Sequence, residues 1–530
     1  MSRSSKCASR RWVGVWAAPL TGALIAASAS SALAQPRAVT ANAAGTLSVA
    51  AFAPNTSMNP YLASAGMDVY YLDPVYASLI VLGAGGKLEP GLAQSWGYIG
   101  TGNKLFELKL RPNVKFSDGT PVNAKAVVES LNYFASHGTN KQWLGSCTKI
   151  SAVGVSQVRI GCRSANPILP ELFTDWFEAG DVICPSALAH PSTITTNPCG
   201  AGPYKLNTSQ TVTGSAYSYS VNPRYWDRGS VRYQSLVVKS FASDSSALES
   251  LRSGQLGALY AVDPQIAQGA QGDGLSVSAT QLPFEGMLLA NRTQGPLKSL
   301  QVRQALNYAV DRPALVKALF GPFGLATDEA GVPGQPTTYD PAYASYYKYN
   351  PAKAKQLLKQ AGYPHGFTLN TVTDPNVATL AQAIAGYWAK IGVKVNIKSD
   401  PSETTFISDA ESGKYPGVMY SYAALPMFLE ARSFFLPVKN QYNPMGLSDP
   451  TEVALLKRAA AASGVQQIKL YREAQDHAVQ QAWFVTTDAF DVEQILGSSV
   501  TAPALKNGLY IGNGVSIARK GQAAAAGEGR

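Results

Sequence analysis

Chemistry needs polar groups held close together, so the residues able to supply them come first. The four histidines, His137, His190, His365 and His477, have no partner three to five positions away, the spacing at which one helix face offers two imidazoles to a metal. No metal centre is expected, and free divalent nickel should bind weakly. GxSxG, HExxH, P-loop and CxxC runs are absent, and "LGAGGKLEP" (82–90) lacks the third glycine of a dinucleotide loop. Serines and acids abound, but no spacing selects a catalytic set. No cofactor is expected and enzymatic activity is not, with a hydrolase of unrecognised type as the rival. Contact chemistry is better represented. "VMYSYAALPMFLEARSFF" (418–435) gathers Met419, Tyr420, Tyr422 and Phe428 with no acid before Glu430 and no base before Arg432, a wall suited to stacking.

Residues 1–34 order a basic head (Arg3, Lys6, Arg10, Arg11), an apolar run from Trp12 to Ala27 and the exit Ala32-Leu33-Ala34, which reads as a cleaved export signal. "SRRWVG" partly matches a twin-arginine signal, leaving the export route open. No other stretch is apolar for the roughly 20 residues a membrane span needs. Lysine and arginine number 44 against 34 acids, four of the bases lying in the head. The remaining mild excess is scattered, so neither nucleic acid nor a membrane surface is an expected partner.

Beyond Cys7 in the head, the cysteines are Cys147, Cys162, Cys184 and Cys199. An exported chain with four suggests two disulfides, for which three pairings exist. "CTKISAVGVSQVRIGC" reads as two alternating strands about a turn near Val155-Ser156, which favours neighbour pairing, Cys147 with Cys162 and Cys184 with Cys199.

A chain of this length exceeds what one core usually fills, so at least two lobes are expected. In "NPAKAKQLLKQAGY" Asn350 caps a helix with Pro351 first, Leu357 and Leu358 inward and Gly362 just past its end. "NVATLAQAIAGYWAKIGVKVNI" continues with a helix burying Leu380, Ile384, Tyr387 and Ile391, stopped by Gly392, then a strand through Val393, Val395 and Ile397. "QVRQALNYAVDRPALVKALFG" gives two helices that meet at Asp311, the cap of the second, with Arg312 or Pro313 in its first turn. Near the start, "TLSVAAFA" is a strand, and 104–131 reads as strand, Asp118-Gly119 turn and a helix with Val127, Val128, Leu131 and Phe134 inward. Such alternation means an α/β protein.

Five stretches in order, "KLEPGLAQSW", "FELKLRPNVKFSDGTPVNAKAVVESL", "GAGPYKL", "VRQALNYAVDRPALVKALF" and "YNPAKAKQLLKQAGY", resemble the extracytoplasmic solute-binding proteins of family 5, the dipeptide-, oligopeptide- and nickel-binding proteins of ABC importers. The resemblance runs from about Thr46 to about Leu505. It implies the large two-lobed periplasmic-binding-protein (Venus-flytrap) fold, with a hinge of two crossing strands and an accessory subdomain. The first lobe would comprise 44–76, 198–282 and 488–515, the accessory part 77–197, the second lobe 283–487, and a disordered tail 519–530. It implies a periplasmic monomer that captures a peptide or peptide-like solute by closure and hands it to an inner-membrane permease; opines, oligosaccharides and metal chelates are the alternatives. Peptide-binding relatives carry G-W-x-x-D-Y-x-D/E-P, whose aspartate holds the ligand's α-amino group. Aligning that proline with Pro426 puts Tyr422 at the anchor, and a one-residue shift puts Ala423 there. Neither pairs with an ammonium, so either the ligand has no free α-amino group there or another acid replaces the anchor: Asp488 in "WFVTTDAFDV", which matches the family's returning hinge strand, with Asp491 as the alternative, or Glu285 in "LPFEGMLLAN". Trp143, Phe284, Met287, Tyr420 and Tyr422 are the remaining ligand-contact candidates.

Overall fold

The computed structural model describes residues 45–519 except 52–53, 56, 64–67, 84–86, 262, 291, 330–338, 424–425, 441 and 503–516; side chains of 280–284, 403–404, 423, 490–493 and 518–519 are also outside the description. The export segment, the tail beyond 519 and the side chains of Phe284 and Asp491 therefore lie outside the described residues. Arg519, where the sequence begins the tail, pairs with Val500 in a two-residue strand.

Local capping chemistry sets the helices. Asn350 accepts from the Lys353 amide at 2.9 Å and opens Pro351–Gln360. Gly362, at φ +89°, ends it in a conformation that glycine adopts without a Cβ penalty. Asp311 caps Arg312–Leu319 through the Ala314 amide, and Asn123 caps Ala124–His137 through the Ala126 amide. In Ala378–Ala389 the buried row is Leu380, Ile384 and Trp388. Tyr387, expected inward, is half-buried under Lys390 instead. A step of four from Ile384 reaches Trp388, whose indole donates to the Leu306 carbonyl at 2.9 Å. In Ala124–His137 the inward positions include Ser130 while Val128 is half-buried, because the Ser130 hydroxyl lies 2.6 Å from Tyr61 Oη and accepts from the Ile183 amide.

Eleven strands form the principal sheet. At its centre Ser276–Leu289 and Phe484–Leu496 run antiparallel. Ala258–Ala261 pairs with the 493–496 end of the latter, and continues to Thr46–Ala51, Ser235–Ser240, Ala216–Val221 and Tyr204–Leu206. Gly417–Ala423 pairs with the 283–289 end of the former, followed by Phe367–Thr373 and Val393–Ser399. The two central strands thus pass from one lobe's sheet to the other's, and their register shifts between Gln281 and Phe284 and between Glu285 and Gly286. A bulge twists and bends a strand, which suits a crossing between lobes.

Period-two alternation divides the second lobe's core. Met287, Met419 and Val485 pack with Leu306, Leu380, Ile384 and Trp388 on one side. Leu288, Val418 and Phe484 pack with Tyr422, Phe434, Tyr471 and Trp483 on the other. In the first lobe, a separate four-stranded sheet orders Ala93–Tyr98, Leu105–Leu110, Gln157–Cys162 and Cys147–Val153. Its Phe106, Leu108, Val158 and Ile160 share one packed core with Leu47, Tyr71, Tyr219 and Leu236 of the larger sheet. Cys147 stands opposite Cys162 in the expected hairpin, and both disulfides, Cys147–Cys162 and Cys184–Cys199, are present.

Candidate functional site between the lobes

At the crossing, Glu285 and Asp488 are directly opposed across the two strands. Opposed residues on an antiparallel pair share a face, so the sheet itself brings two carboxyls together. Asp488 is fully buried; its Oδ1 accepts from the Thr487 hydroxyl at 2.7 Å, and its Oδ2 has no hydrogen-bond partner among the described residues. Desolvation pushes its carboxyl up to about 7 against that hydrogen bond. Glu285 is held well above the usual carboxylate range, first by burial, then by the charges of Asp488 and Asp374, with the Ser421 hydroxyl acting in the opposite sense. No ion pair to Glu285 or Asp488 occurs among the described residues. An arginine close by is already committed. Arg312 lies 2.7 Å from Asp328 Oδ1, donates to the Thr486 carbonyl at 2.6 Å, and reaches the Asn307 side chain. It ties the second lobe to the strand that carries Asp488.

The aromatic stretch stands on the other face of the same strands: Tyr422 pairs in register with Phe284, and alternation sets it opposite the face that carries Glu285 and Ser421. Tyr422 is 1% exposed, ringed by Tyr420, Phe434, Tyr442 and Phe484 at centroid distances of 5.2, 5.2, 5.8 and 6.0 Å. Tyr420 is half-buried and stacks on Phe406 at 5.1 Å. Met287 lies on the opposite face of the sheet, among the helices. Trp143 belongs to the first lobe, half-buried and edge-on to Phe177 at 5.3 Å.

Away from the crossing the lobes also touch. Leu429, only seven residues after Tyr422, is buried in the first lobe's core, and Phe428 packs against the cores of both lobes. The Asn103 amide donates to the carbonyls of Ala460 and Ala462 at 2.8 Å each, covering the free end of helix Pro450–Ala461. Sequence reading missed Asn103, Asp374, Phe434 and Tyr442. The "GTGN" turn around Asn103 was visible in the sequence, but its partner 357 positions away was not. One group of potential metal ligands occurs among the described residues: Asp118 with Cys184 and Cys199, whose ligand atoms lie within 4.8 Å of one another. Both sulfurs are in a disulfide and offer no thiolate.

The description "Bacterial extracellular solute-binding proteins, family 5 Middle" matches residues 87–443, most of the chain. The chain belongs to that family. Its function is solute binding for an ABC importer. This family 5 protein is 28% identical to the glutathione-binding protein GsiB of Escherichia coli (strain K12) over 378 residues, 69% of this chain and 72% of the relative. In structure it is similar to the periplasmic binding protein AgaA from A. tumefaciens R10 in complex with agropinic acid, at TM-score 0.75 and 22% identity, covering 90% of this chain and 99% of AgaA. It is also similar to the periplasmic binding protein DppA from Helicobacter pylori in complex with the peptide STSA, at TM-score 0.74 and 20% identity, covering 90% and 98%. These likenesses carry the two-lobed fold. No helix among the described residues is long and apolar enough to cross a membrane.

Proposed function

We propose that the captured solute is peptide-like and bears a cationic amine, which pairs with the opposed carboxyls of Glu285 and Asp488. The observation that carries this is a buried acid pair on the crossing strands with no ion pair of its own among the described residues. A buried carboxylate left unpaired is costly, and a cation supplied by the ligand removes that cost only when it is enclosed. Contacts made from both lobes favour the closed arrangement by the difference in affinity between the two states. Tyr420, at the edge of the aromatic cluster, and Trp143 of the first lobe are the contacts we assign to the ligand's remaining surface. The protein acts as a monomer in the periplasm after loss of 1–34, delivers its ligand unchanged to an inner-membrane permease, and divides into lobes at the boundaries given above. The names of GsiB and DppA support the peptide-like class; the name of AgaA keeps an opine as the alternative.

Native mass spectrometry of the purified protein gives the mass of any retained ligand. Calorimetry with glutathione, a dipeptide and their N-acetylated forms then tests the amine. Affinity for the free amines should exceed that for the acetylated forms and fall in Asp488→Asn and Glu285→Gln. Equal affinity for both forms, or unchanged affinity in both variants, sinks the acid-pair reading. Sustained conversion of the ligand would show an enzyme instead.

A further inference from the structure

A second feature lies across the lobe contact. An open groove is lined by Gln142, Gly145, Ser146, Thr148 and Arg163 from the accessory part of the first lobe and by Arg432 from the second. Arg432 is half-buried, and its guanidinium lies 5.9 Å from the Phe428 ring centroid. It makes no ion pair, and nor does Arg163, among the described residues. The guanidinium passes so close to Gly145 that a Cβ there would stand 2.9 Å from Arg432 Nη1, and Gly145 also has φ +59°. The opposite wall is braced: Ser146 and Thr148 flank Cys147, Arg163 follows Cys162, and the two cysteines are bonded. The Ser146 hydroxyl is 2.8 Å from the Ser164 hydroxyl and accepts from the Ser164 amide.

We propose that this groove is an oxyanion site that spans the two lobes, taking a carboxylate, phosphate or sulfate between Arg163 and Arg432. Planar guanidinium groups hold such anions through paired N–H donors, and the hydroxyls of Ser146 and Thr148 and the Gln142 amide add donors. Empty, the seam brings two cations toward each other across a lobe boundary and opposes closure. Filled, the anion neutralises both and favours closure, because its ligands come from both lobes and are together only in that state. The site is separate from the acid pair and does not depend on which solute that pair takes. The anion comes either from solution or from the captured solute.

Calorimetry with inorganic phosphate separates these cases, at ionic strength held constant with chloride. It is run on the wild type, Arg163→Gln, Arg432→Gln and Gly145→Ala, each checked for native circular dichroism. Small-angle scattering with and without phosphate follows closure. The wild type should bind phosphate and become more compact, with affinity lower by about tenfold or more in either arginine variant and reduced in Gly145→Ala, which pushes Arg432 aside. That result identifies a free oxyanion. If phosphate does not bind, but glutathione binds about tenfold more weakly to Arg163→Gln while glutathione diethyl ester binds both proteins alike, the solute supplies the anion. The proposal is overturned if phosphate acts no differently from chloride and no arginine variant alters glutathione binding, or if all variants bind phosphate like the wild type. Arg163 is exposed, so its loss should leave the fold intact and keep the test decisive if Arg432→Gln unfolds.

Discussion

Replacing Asp488 with asparagine should stabilise the folded protein at pH 8 and leave it almost unchanged at pH 4. Asparagine has nearly the same shape and can keep the bond from Thr487, so the substitution removes a titration rather than a contact. In the folded protein the Asp488 carboxyl titrates near 7 rather than at its ordinary value of 3.8. A raised acid favours folding only while protonated: its contribution is complete below about pH 4 and is lost as pH climbs through about 7. A displacement of about three pKa units is worth about 4 kcal/mol at 1.36 kcal/mol per unit, an upper figure because ionisation of Asp488 is shared with Glu285. Urea unfolding at pH 4, 6 and 8, followed by circular dichroism, measures the difference between variant and wild type. Taking that difference cancels the other acids that burial raises, among them Glu329, up to about 8, and Glu452, up to about 9. A gap of a few kcal/mol should open between pH 4 and pH 8. An equal difference at the two pH values would refute the assignment of a desolvated, titrating Asp488. The same variant should lose affinity for an amine ligand by about 2–5 kcal/mol, the usual result of removing one partner of a buried charge pair, so stability and binding should move in opposite directions.

Non-reducing peptide mapping should recover Cys147–Cys162 and Cys184–Cys199 and no crossed pair; serine at both ends of either bridge, each closing a loop over a separation of 15, should cost about 3 kcal/mol in urea unfolding. Asn103→Ala removes two hydrogen bonds between the lobes and should weaken closure by about 1–3 kcal/mol; small-angle scattering should show a larger radius of gyration, and an unchanged radius with unchanged ligand affinity would count against that contact as a latch. Trp388→Phe leaves the Leu306 carbonyl without its indole donor and should lower stability by about 1–3 kcal/mol without altering ligand affinity.

Much of the scaffold was legible because its signals are local. Asn123, Asp311 and Asn350 each cap a helix through an amide three residues on, and the Cys147–Cys162 hairpin announces its own turn. The site was legible only as a list. Asp488 and Glu285 could be named, but their opposition depends on a register across some 200 residues, which no spacing rule contains. The resemblance pointed to Tyr422, yet not to the ring cluster that buries it, since Phe434, Tyr442 and Phe484 arrive from other segments. Arg312 was recognisable as a first-turn residue; that its guanidinium would join Asp328 and the second crossing strand was not. Tyr387 was chosen over Trp388 because both fit a helical face within one position, and only packing against Leu306 separates them.

The order of strands in the principal sheet also bears on how the chain is made. Phe484–Leu496 sits between Ala258–Ala261 and Ser276–Leu289, so a segment close to the C-terminus completes both lobes. A chain that is synthesised or threaded through an export channel from its N-terminus must carry the unpaired edges of Ala258–Ala261 and Ser276–Leu289 until some 200 further residues have emerged. Pairings so distant in sequence form slowly, and an open strand edge invites association with other chains. Biogenesis therefore places a demand on holding factors that the finished structure no longer shows. A fragment ending at residue 480 should leave both halves open to protease, although it contains nearly all of each lobe.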